Sequence, residues 1–369
     1  ELKLDKIPYR PIWSEFCADP FMQRESIQNQ SIVTNNNRFL KPVLNDEQIS
    51  KLKILNSKDN FHGFIAIIID IAWILSAIYL SYFSPFFYPL TILIIGSRQR
   101  ALASLLHEAA HTTLFKSRIL NITIGRVLCG WTILQSYGTY RITHVLNHHP
   151  KIGNDSIDPD LVYMLEQGVY KSQSRSDFLK NYFIKPLLGS NIPHYIRYLI
   201  KDRFITAFRN DKERTEAIMI VVFHLSIILI AFATGWIKEL FLFWWIPFLV
   251  IHPVIGWFSE LSEHYPMMES TNTARFYSRN RYAGWVERFF IGMHSDYLHL
   301  THHLYPAIPH WNLKKATEIL RQDVIFAEWD NYWGGIFSSS TPNRTSLLKY
   351  ILDDRKFTSS IQNGFEYAQ

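Results

Sequence analysis

The sequence predicts an all-α integral membrane protein with four transmembrane helices arranged as two hairpins. Two observations lead to this fold class. Apolar blocks of near-spanning length occur in two adjacent pairs, and the 369-residue chain is 48% hydrophobic. In addition, three pairs of histidines are separated by four residues, which places both members of each pair on one face of a helix.

The four apolar blocks define the predicted spans, because a transmembrane helix needs about 20 mostly apolar residues to cross a hydrocarbon core of about 30 Å. They are residues 64–83, 86–106, 217–236 and 240–258. The first two are joined by an uncharged turn at Ser84 and Pro85, and the last two by a short loop with Lys238 and Glu239. Any single block could be a buried helix of a soluble core, but two adjacent pairs favour a membrane protein.

The positions of the basic residues predict how these helices are oriented. Lysines precede the first block, arginines and lysines follow the second, and many more lie between the two hairpins. Both termini, the middle segment and every histidine cluster are therefore expected on the cytoplasmic face. The net charge of +6 fits a surface that faces anionic lipid headgroups. No folded nucleic-acid-binding motif is visible, so we expect no nucleic-acid partner.

Histidine placement carries the chemistry of the chain, because nine of its 15 histidines fall into four short clusters. These read HEAAH from residue 107, HVLNHH from residue 144, ELSEH ending at residue 264 and HLTHH from residue 299. A catalytic zinc usually takes three protein ligands, whereas nine imidazoles suit two iron-type ions held side by side. The neighbours His148 and His149, like His302 and His303, lie about 100° apart around a helix and can reach different metals.

Two other readings of the histidines remain open. HEAAH also fits the HExxH helix of membrane zinc proteases, in which two histidines bind zinc and the glutamate is the general base. That reading leaves the HVLNHH and HLTHH clusters unexplained. A non-catalytic membrane protein that stores or senses metal would explain the histidines without a reaction, and O₂-dependent turnover would separate it from an enzyme.

Three histidine boxes in the order HxxxH, HxxxHH and HxxHH, interleaved with two apolar hairpins, resemble the membrane-bound fatty acid desaturase superfamily. The most specific part is HLTHHLYPAIPHWNL, at residues 299–313, and the resemblance spans about residues 60–320. It implies four transmembrane helices under a cytoplasmic helical cap that carries the boxes, with two non-haem iron ions and O₂ as co-substrate. The residues that match the metal ligands are His107, His111, His144, His148, His149, His264, His299, His302 and His303.

The resemblance predicts an O₂-dependent desaturase that introduces a double bond into an acyl chain in lipid metabolism. Two departures keep a di-iron hydroxylase of an alkyl, acyl or carrier-bound small molecule as the alternative. Glu260 stands where acyl-CoA desaturases have an asparagine, and SEHYP around His264 is similar to the alkane hydroxylases. A separate electron donor of the ferredoxin or cytochrome b5 type is expected, because the chain has neither an HPGG haem motif nor a ferredoxin-type cysteine cluster.

Acidic residues beside the boxes are expected to act on the substrate or to orient the imidazoles. The candidates for a catalytic role are Glu260, Asp155 and Asp158, and those for orienting histidines also include Asp160, Glu108, Glu263 and Asp296. A solvated turn is the alternative for NDSIDPD. The predicted domains are a cytoplasmic N-terminal arm (1–60), a desaturase-like membrane catalytic domain (61–322) and a cytoplasmic C-terminal tail (323–369).

Overall fold

Helices account for the regular structure of the described chain, as the apolar periodicity predicts. The computed structural model describes residues 39–205, 211–268 and 274–353, and these residues form α-, π- and 3₁₀-helical segments without a β-strand. The all-α class is therefore confirmed for this part of the chain. Of the predicted N-terminal arm, residues 1–38 lie outside the described residues, as do residues 354–369 of the predicted C-terminal tail.

Four long helices form the apolar part of the fold. They are the first long helix (His62–Phe83), the second (Tyr88–Ala110), the third (Asp211–Ala233) and the fourth, which runs over Ile237–His264 through a π-helical turn at Phe241–Trp245. Three described helices are long and apolar enough to cross a membrane, namely His62–Phe83, Glu213–Ala233 and Ile237–His264. These three match predicted spans one, three and four.

The second long helix corresponds to the second predicted span but is not among these three, and it carries Arg98, Gln99 and Arg100 near its middle. It lies between the first and fourth long helices and packs against both. Its charges find partners there: Arg98 lies 3.5 Å from Asp70 of the first long helix, and Arg100 lies 4.0 Å from Glu263 of the fourth. The helix forms over the predicted residues, but its polar middle makes it less apolar than the three helices that are apolar enough to cross a membrane.

Shorter helices connect the long ones and cover their ends. The α-helices are Asp46–Leu55, Arg118–Ile124, Tyr137–Tyr140, Pro159–Glu166, Arg175–Leu179, Lys185–Leu187, Ile192–Tyr198, Trp285–Phe290, His299–Leu304, Leu313–Leu320, Val324–Tyr332 and Leu347–Leu352. The remaining π-helical segments are Gly125–Gly130, Arg141–His148, Lys180–Ile184 and Leu199–Ile205. The 3₁₀ segments are Pro85–Phe87, Trp131–Ile133, His149–Lys151 and Met293–Leu298.

The largest buried apolar cluster of the described residues forms at the end of the fourth long helix. It joins the last turns of the fourth long helix, around Phe258 and Leu261, to aromatic side chains from late in the chain, including Trp329 and Trp333. The helices Val324–Tyr332 and Leu347–Leu352 are thus built into the same core. The domain boundary predicted after residue 322 stays a prediction.

Candidate metal centre

Four helical segments bring the nine predicted ligands together. His107 lies in the last turn of the second long helix and His111 is its C-terminal capping residue. The second box occupies the π-helical segment Arg141–His148 and the following His149. His264 ends the fourth long helix, and the third box forms the short helix His299–Leu304.

The nine histidines form two adjoining clusters, in each of which one ligand atom per residue lies within 4.8 Å of every other. The first cluster contains His107, His111, His144, His149 and His302. The second cluster contains His148, His264, His299 and His303. Both doublets are divided between the clusters, which is the division that a 100° separation of helical neighbours predicts. His149 and His303 stack at 4.2 Å between ring centroids and link the two clusters.

Nitrogen atoms face one another inside each cluster. In the first, the Nε2 atom of His149 lies 3.1 Å from that of His144 and 3.2 Å from that of His302. In the second, the Nε2 atom of His299 lies 3.2 Å from that of His264 and 3.0 Å from that of His303. Ligand atoms around an ion with metal–nitrogen bonds of about 2.0–2.1 Å have this mutual spacing.

The hydrogen bond of His264 fixes which of its nitrogens can bind a metal. Its Nδ1 lies 2.9 Å from the carbonyl oxygen of Tyr277, and a carbonyl only accepts, so Nδ1 carries the proton. The Nε2 of neutral His264 is then unprotonated and directs its lone pair into the second cluster. A backbone carbonyl on the far nitrogen is the common support of a metal-binding histidine. In the first cluster, the buried Nε2 atoms of His107 and His111 have no hydrogen-bond partner, which fits the same role.

Burial favours the neutral, metal-binding form of most of these imidazoles. Desolvation, followed by the repulsion of neighbouring histidines, lowers the pKa of His144, His149 and His303 well below the ordinary value and that of His302 to about 3. His148 is the exception. Burial lowers its pKa, but the carboxylates of Asp160 and Asp158 outweigh burial and raise it to about 9. The negative charge that holds a proton on His148 would equally favour a bound cation.

Of the three aspartates predicted after the second box, two reach the histidines. Asp158 is buried and accepts a hydrogen bond from Nδ1 of His148 at 2.7 Å, while it also caps the helix Pro159–Glu166. Asp160 lies 3.2 Å from the same Nδ1 and 3.8 Å from that of His144. Burial, together with the nearby acids, raises the pKa of Asp160 to about 6, although His148 opposes the shift. Asp155 is exposed in the turn, outside the described histidine clusters.

Glu108 is turned away from the centre of the first cluster. Its carboxylate accepts hydrogen bonds from the Thr113 hydroxyl at 2.8 Å and from the His310 backbone N–H at 3.0 Å. Its other oxygen lies 3.8 Å from Nδ1 of His107. Glu108 therefore ties the first box to the segment that follows the third.

Glu260 and Glu263 both lie in the last turns of the fourth long helix, beside the second cluster. Glu260 lines a small cavity together with Asp158, Asp160 and His264. Glu263 comes closer to the histidines, with one oxygen 3.6 Å from Nε2 of His299. With Asp296 and His299 it forms a further group that could hold a metal.

Arg281 is a polar residue of the site that the sequence did not single out. Its guanidinium lies 2.6 Å from the Asp296 carboxylate, 3.6 Å from that of Glu263 and 2.9 Å from the Ser262 hydroxyl. The only feature of the sequence that could have indicated a role for Arg281 is its place in the polar stretch at positions 278–281. Arg281 neutralises the acids on the side of the centre where the fourth long helix ends.

A second small cavity separates the first box from the start of the third, and polar side chains dominate its lining. It is lined by Ser104, His107, Glu108, His294, Ser295, Asp296, His299, His302 and Leu313. Candidate ligands from both clusters therefore face this cavity, whose volume of about 20 Å³ has room for about one water molecule.

The comparison with known families agrees with this arrangement of boxes. The family model for fatty acid desaturases matches residues 83–332, which include all nine clustered histidines. The chain belongs to the fatty acid desaturase family. This membrane-bound, metal-dependent family consists of oxidoreductases. Membership therefore favours a redox enzyme over the two alternatives, a zinc protease and a non-catalytic metal-storage protein.

Individual relatives in the family differ in the substrates that their names state. The chain is 35% identical to a dihydrorhizobitoxine desaturase of Bradyrhizobium elkanii over 312 residues, which are 83% of this chain and 87% of the relative. It is 27% identical to an endoplasmic reticulum omega-3 fatty acid desaturase of Nicotiana tabacum over 63% of this chain and 64% of that protein. It is 26% identical to a ferredoxin-type sn-1 acyl-lipid omega-3 desaturase of Synechocystis over 72% of this chain and 79% of that protein.

Proposed function

We propose that this protein is an O₂-dependent di-iron desaturase that introduces a double bond into an acyl chain. The observation that carries the proposal is the pair of buried histidine clusters, five and four residues in size, whose nitrogens face inward. Neutral imidazoles at this spacing suit two transition-metal ions, and His264 has its lone pair directed inward by the Tyr277 carbonyl. Bound iron would supply the activation of O₂ and the removal of hydrogen from an unactivated carbon.

The balance of the reaction sets what the protein must deliver. A CH₂–CH₂ unit, O₂, two electrons and two protons give a CH=CH unit and two water molecules. The electrons come from a separate reduced donor, for which a ferredoxin or a cytochrome b5 is proposed, and ferredoxin is supported by the name of the Synechocystis relative. The chain contributes the geometry: its acids orient the imidazoles, and its substrate site excludes water and presents the correct carbons.

Three acids are proposed to serve the centre, each in a different way. Asp158 would orient His148 through their 2.7 Å hydrogen bond. Glu260 would act from the cavity beside His264, through a metal-bound water or a ligand bond. Asp155 would act from the exposed turn between the second box and Asp158. A role of Glu108 as the base of a zinc protease is disfavoured, since its carboxylate already binds Thr113 and the His310 N–H.

Two substrate classes are supported by different observations. The matched lipid desaturases and the three apolar helices support an acyl chain held in the membrane. A small polar molecule is the second candidate. It is supported by the name of the 35% identical relative. Hydroxylation of either substrate is the alternative outcome at the same centre.

The proposed topology has four membrane spans, with the second long helix crossing beside the first and fourth. Arg98 and Arg100 can be accommodated because Asp70 and Glu263 lie next to them, and paired charges in the interior of a helix bundle are the usual exception to membrane apolarity. The histidines then lie on the cytoplasmic face, where a soluble electron donor can reach them.

The test is purification of the full chain in detergent, with metal analysis and product analysis. We expect about two iron ions per chain, and O₂- and reductant-dependent desaturated product in lipid extracts or in a panel of polar small molecules. Substitution of His149→Ala should remove both iron and turnover, because His149 lies between the clusters. His194→Ala is the matched control, since His194 is exposed and lies outside the clusters. Full activity with zinc alone, or an unchanged iron content in the His149 variant, would refute the proposal.

A further inference from the structure

A buried carboxylate lies in the first long helix at a distance from the histidine clusters. Asp70 is the only Asp, Glu, Lys or Arg in that helix, and its side chain is fully buried. An ionisable residue inside a membrane-spanning helix is costly and usually marks a functional requirement. The proposed reaction does not use Asp70 directly, so its partners indicate what the residue does.

The closest partner of Asp70 is His294, which is 224 residues away along the chain. The Nε2 atom of His294 lies 2.7 Å from one carboxylate oxygen, and Nη1 of Arg98 lies 3.5 Å from the other. Arg98 has further partners in the Ser97 hydroxyl and the Phe289 carbonyl. Among the described residues, the side chain of His294 makes its hydrogen bond to Asp70 alone, whereas Arg98 has these further partners.

The backbone at His294 adopts a conformation that L-residues avoid. His294 has φ 48° and ψ 40°, and Ser295 has φ 61° and ψ 13°, so two successive non-glycine residues are left-handed. Such residues persist only where the surrounding contacts fix them. The hydrogen bond to Asp70 is the contact that fixes the side chain of His294.

This left-handed turn sets the direction of the segment that enters the third box. His294 is directed to the first long helix, whereas Asp296, two residues later, is directed to Arg281 at 2.6 Å. After the left-handed turn the chain passes through Leu298 (φ −94°, ψ 43°) and enters the helix His299–Leu304. The two side chains fix the segment at two points immediately before the first histidine of the box.

We propose that Asp70 is a positioning residue for the metal centre. Through its hydrogen bond to His294, it anchors the start of the third-box helix to the first long helix and so holds His299, His302 and His303 in register with the other histidines. This inference rests on the proposed metal centre, because it concerns three of the proposed ligands. It makes the first long helix part of the site although that helix supplies no ligand.

The experiment measures cobalt(II) binding to the purified full-length protein, since the visible spectrum of cobalt reports ligand geometry independently of turnover. The variants are Asp70→Asn, His294→Asn and the double variant. Asparagine tolerates a left-handed backbone, so His294→Asn removes the imidazole without adding strain. We expect each single variant to lower cobalt affinity about 10-fold or more and to alter the spectrum. The double variant should be no worse than either, because both remove the same interaction.

Ser81→Ala is the matched control. It removes a buried 2.7 Å hydrogen bond between Ser81 and Thr91, which also joins the first and second long helices but lies away from His294. We expect it to lower the thermal stability and to leave cobalt affinity and spectrum unchanged. The His294→Gly variant distinguishes the effect of the backbone conformation from that of the imidazole. Glycine relieves the left-handed strain, but the variant should lose cobalt affinity as His294→Asn does.

Two results would overturn the inference while sparing the proposed function. One is a wild-type cobalt affinity and spectrum in both Asp70→Asn and His294→Asn. The other is a wild-type result for His294→Gly, which would mean that only the backbone conformation matters. If the unmodified protein itself fails to bind two ions, the proposed metal centre fails and this inference with it. If Asp70→Asn does not fold, the His294 variants decide.

Discussion

Two substitutions of Asp158, to Asn and to Ala, distinguish its role in orienting His148 from its role in stabilising the fold. Asp158 accepts the His148 Nδ1–H at 2.7 Å and the Gly153 N–H at 2.9 Å, and it caps the helix Pro159–Glu166. Asn keeps the shape and the capping ability of Asp but removes the charge. We therefore expect Asp158→Asn to leave the protein folded and to lower metal affinity about 10- to 100-fold, as loss of a carboxylate that supports a metal-binding histidine does.

The alanine variant should also lose stability, and the structure gives the size of the effect. Loss of a helix N-cap costs about 0.5–2 kcal/mol. Loss of the hydrogen bond from the buried His148 costs about 1–3 kcal/mol more, because Asp160, 3.2 Å from the same Nδ1, replaces it only in part. Asp158→Ala should therefore reduce the free energy of unfolding by about 1.5–5 kcal/mol in the metal-free protein, measured as the difference from the unmodified chain.

The assay is thermal unfolding with metal analysis on the same detergent-purified samples. Asp323 offers the matched control, because it caps the helix Val324–Tyr332 by accepting the Phe326 N–H at 2.7 Å and contacts none of the described histidines. It also accepts the N–H of the exposed Val43 at 3.0 Å. Asp323→Ala should cost about 0.5–2 kcal/mol and leave iron content intact. The reasoning fails if Asp158→Asn retains the iron affinity of the unmodified protein, since the carboxylate would then not support His148.

Three further predictions concern the centre and the topology. Removal of iron with a chelator should lower the unfolding temperature, because the inward-facing lone pairs lose the cation that binds them; an unchanged temperature would argue against a metal that stabilises the fold. Glu260→Asn should retain partial activity and shift the ratio of desaturated to hydroxylated product, and near-normal turnover with normal iron and an unshifted ratio would remove Glu260 from the site. Single cysteines at Pro85 and Pro150 should be labelled from opposite sides of the membrane, and labelling from one side would contradict the four-span topology.

Local geometry explains why the histidines could be read from the sequence. The i,i+4 spacing of His107 and His111, and the adjacency of His148 and His149, depend only on the backbone of a helix. These relations hold wherever the helix lies in the fold. The same argument gave the long apolar helices, because their length is set by composition along one segment.

The pairing of distant segments could not be read in this way. The i,i+4 rule places Glu260 and His264 on one face, yet Glu263 is the glutamate that approaches His299. That approach depends on how the fourth long helix meets the third box. Likewise, the sequence NDSIDPD does not distinguish its three aspartates from one another. The folded turn does: it buries Asp158, which caps the helix Pro159–Glu166, and leaves Asp155 exposed.

The sequence by itself determined the all-helical class, the nine histidines and their division into doublets, because each follows from the period of a helix. Tertiary structure alone decided that His302 joins His107 in one cluster while His303 joins His264 in the other. It also decided that Asp70 meets His294 across 224 residues. The physical reason is that contacts between segments arise from the packing of whole helices, and a linear pattern records the periodicity of each helix but not the neighbour against which it packs.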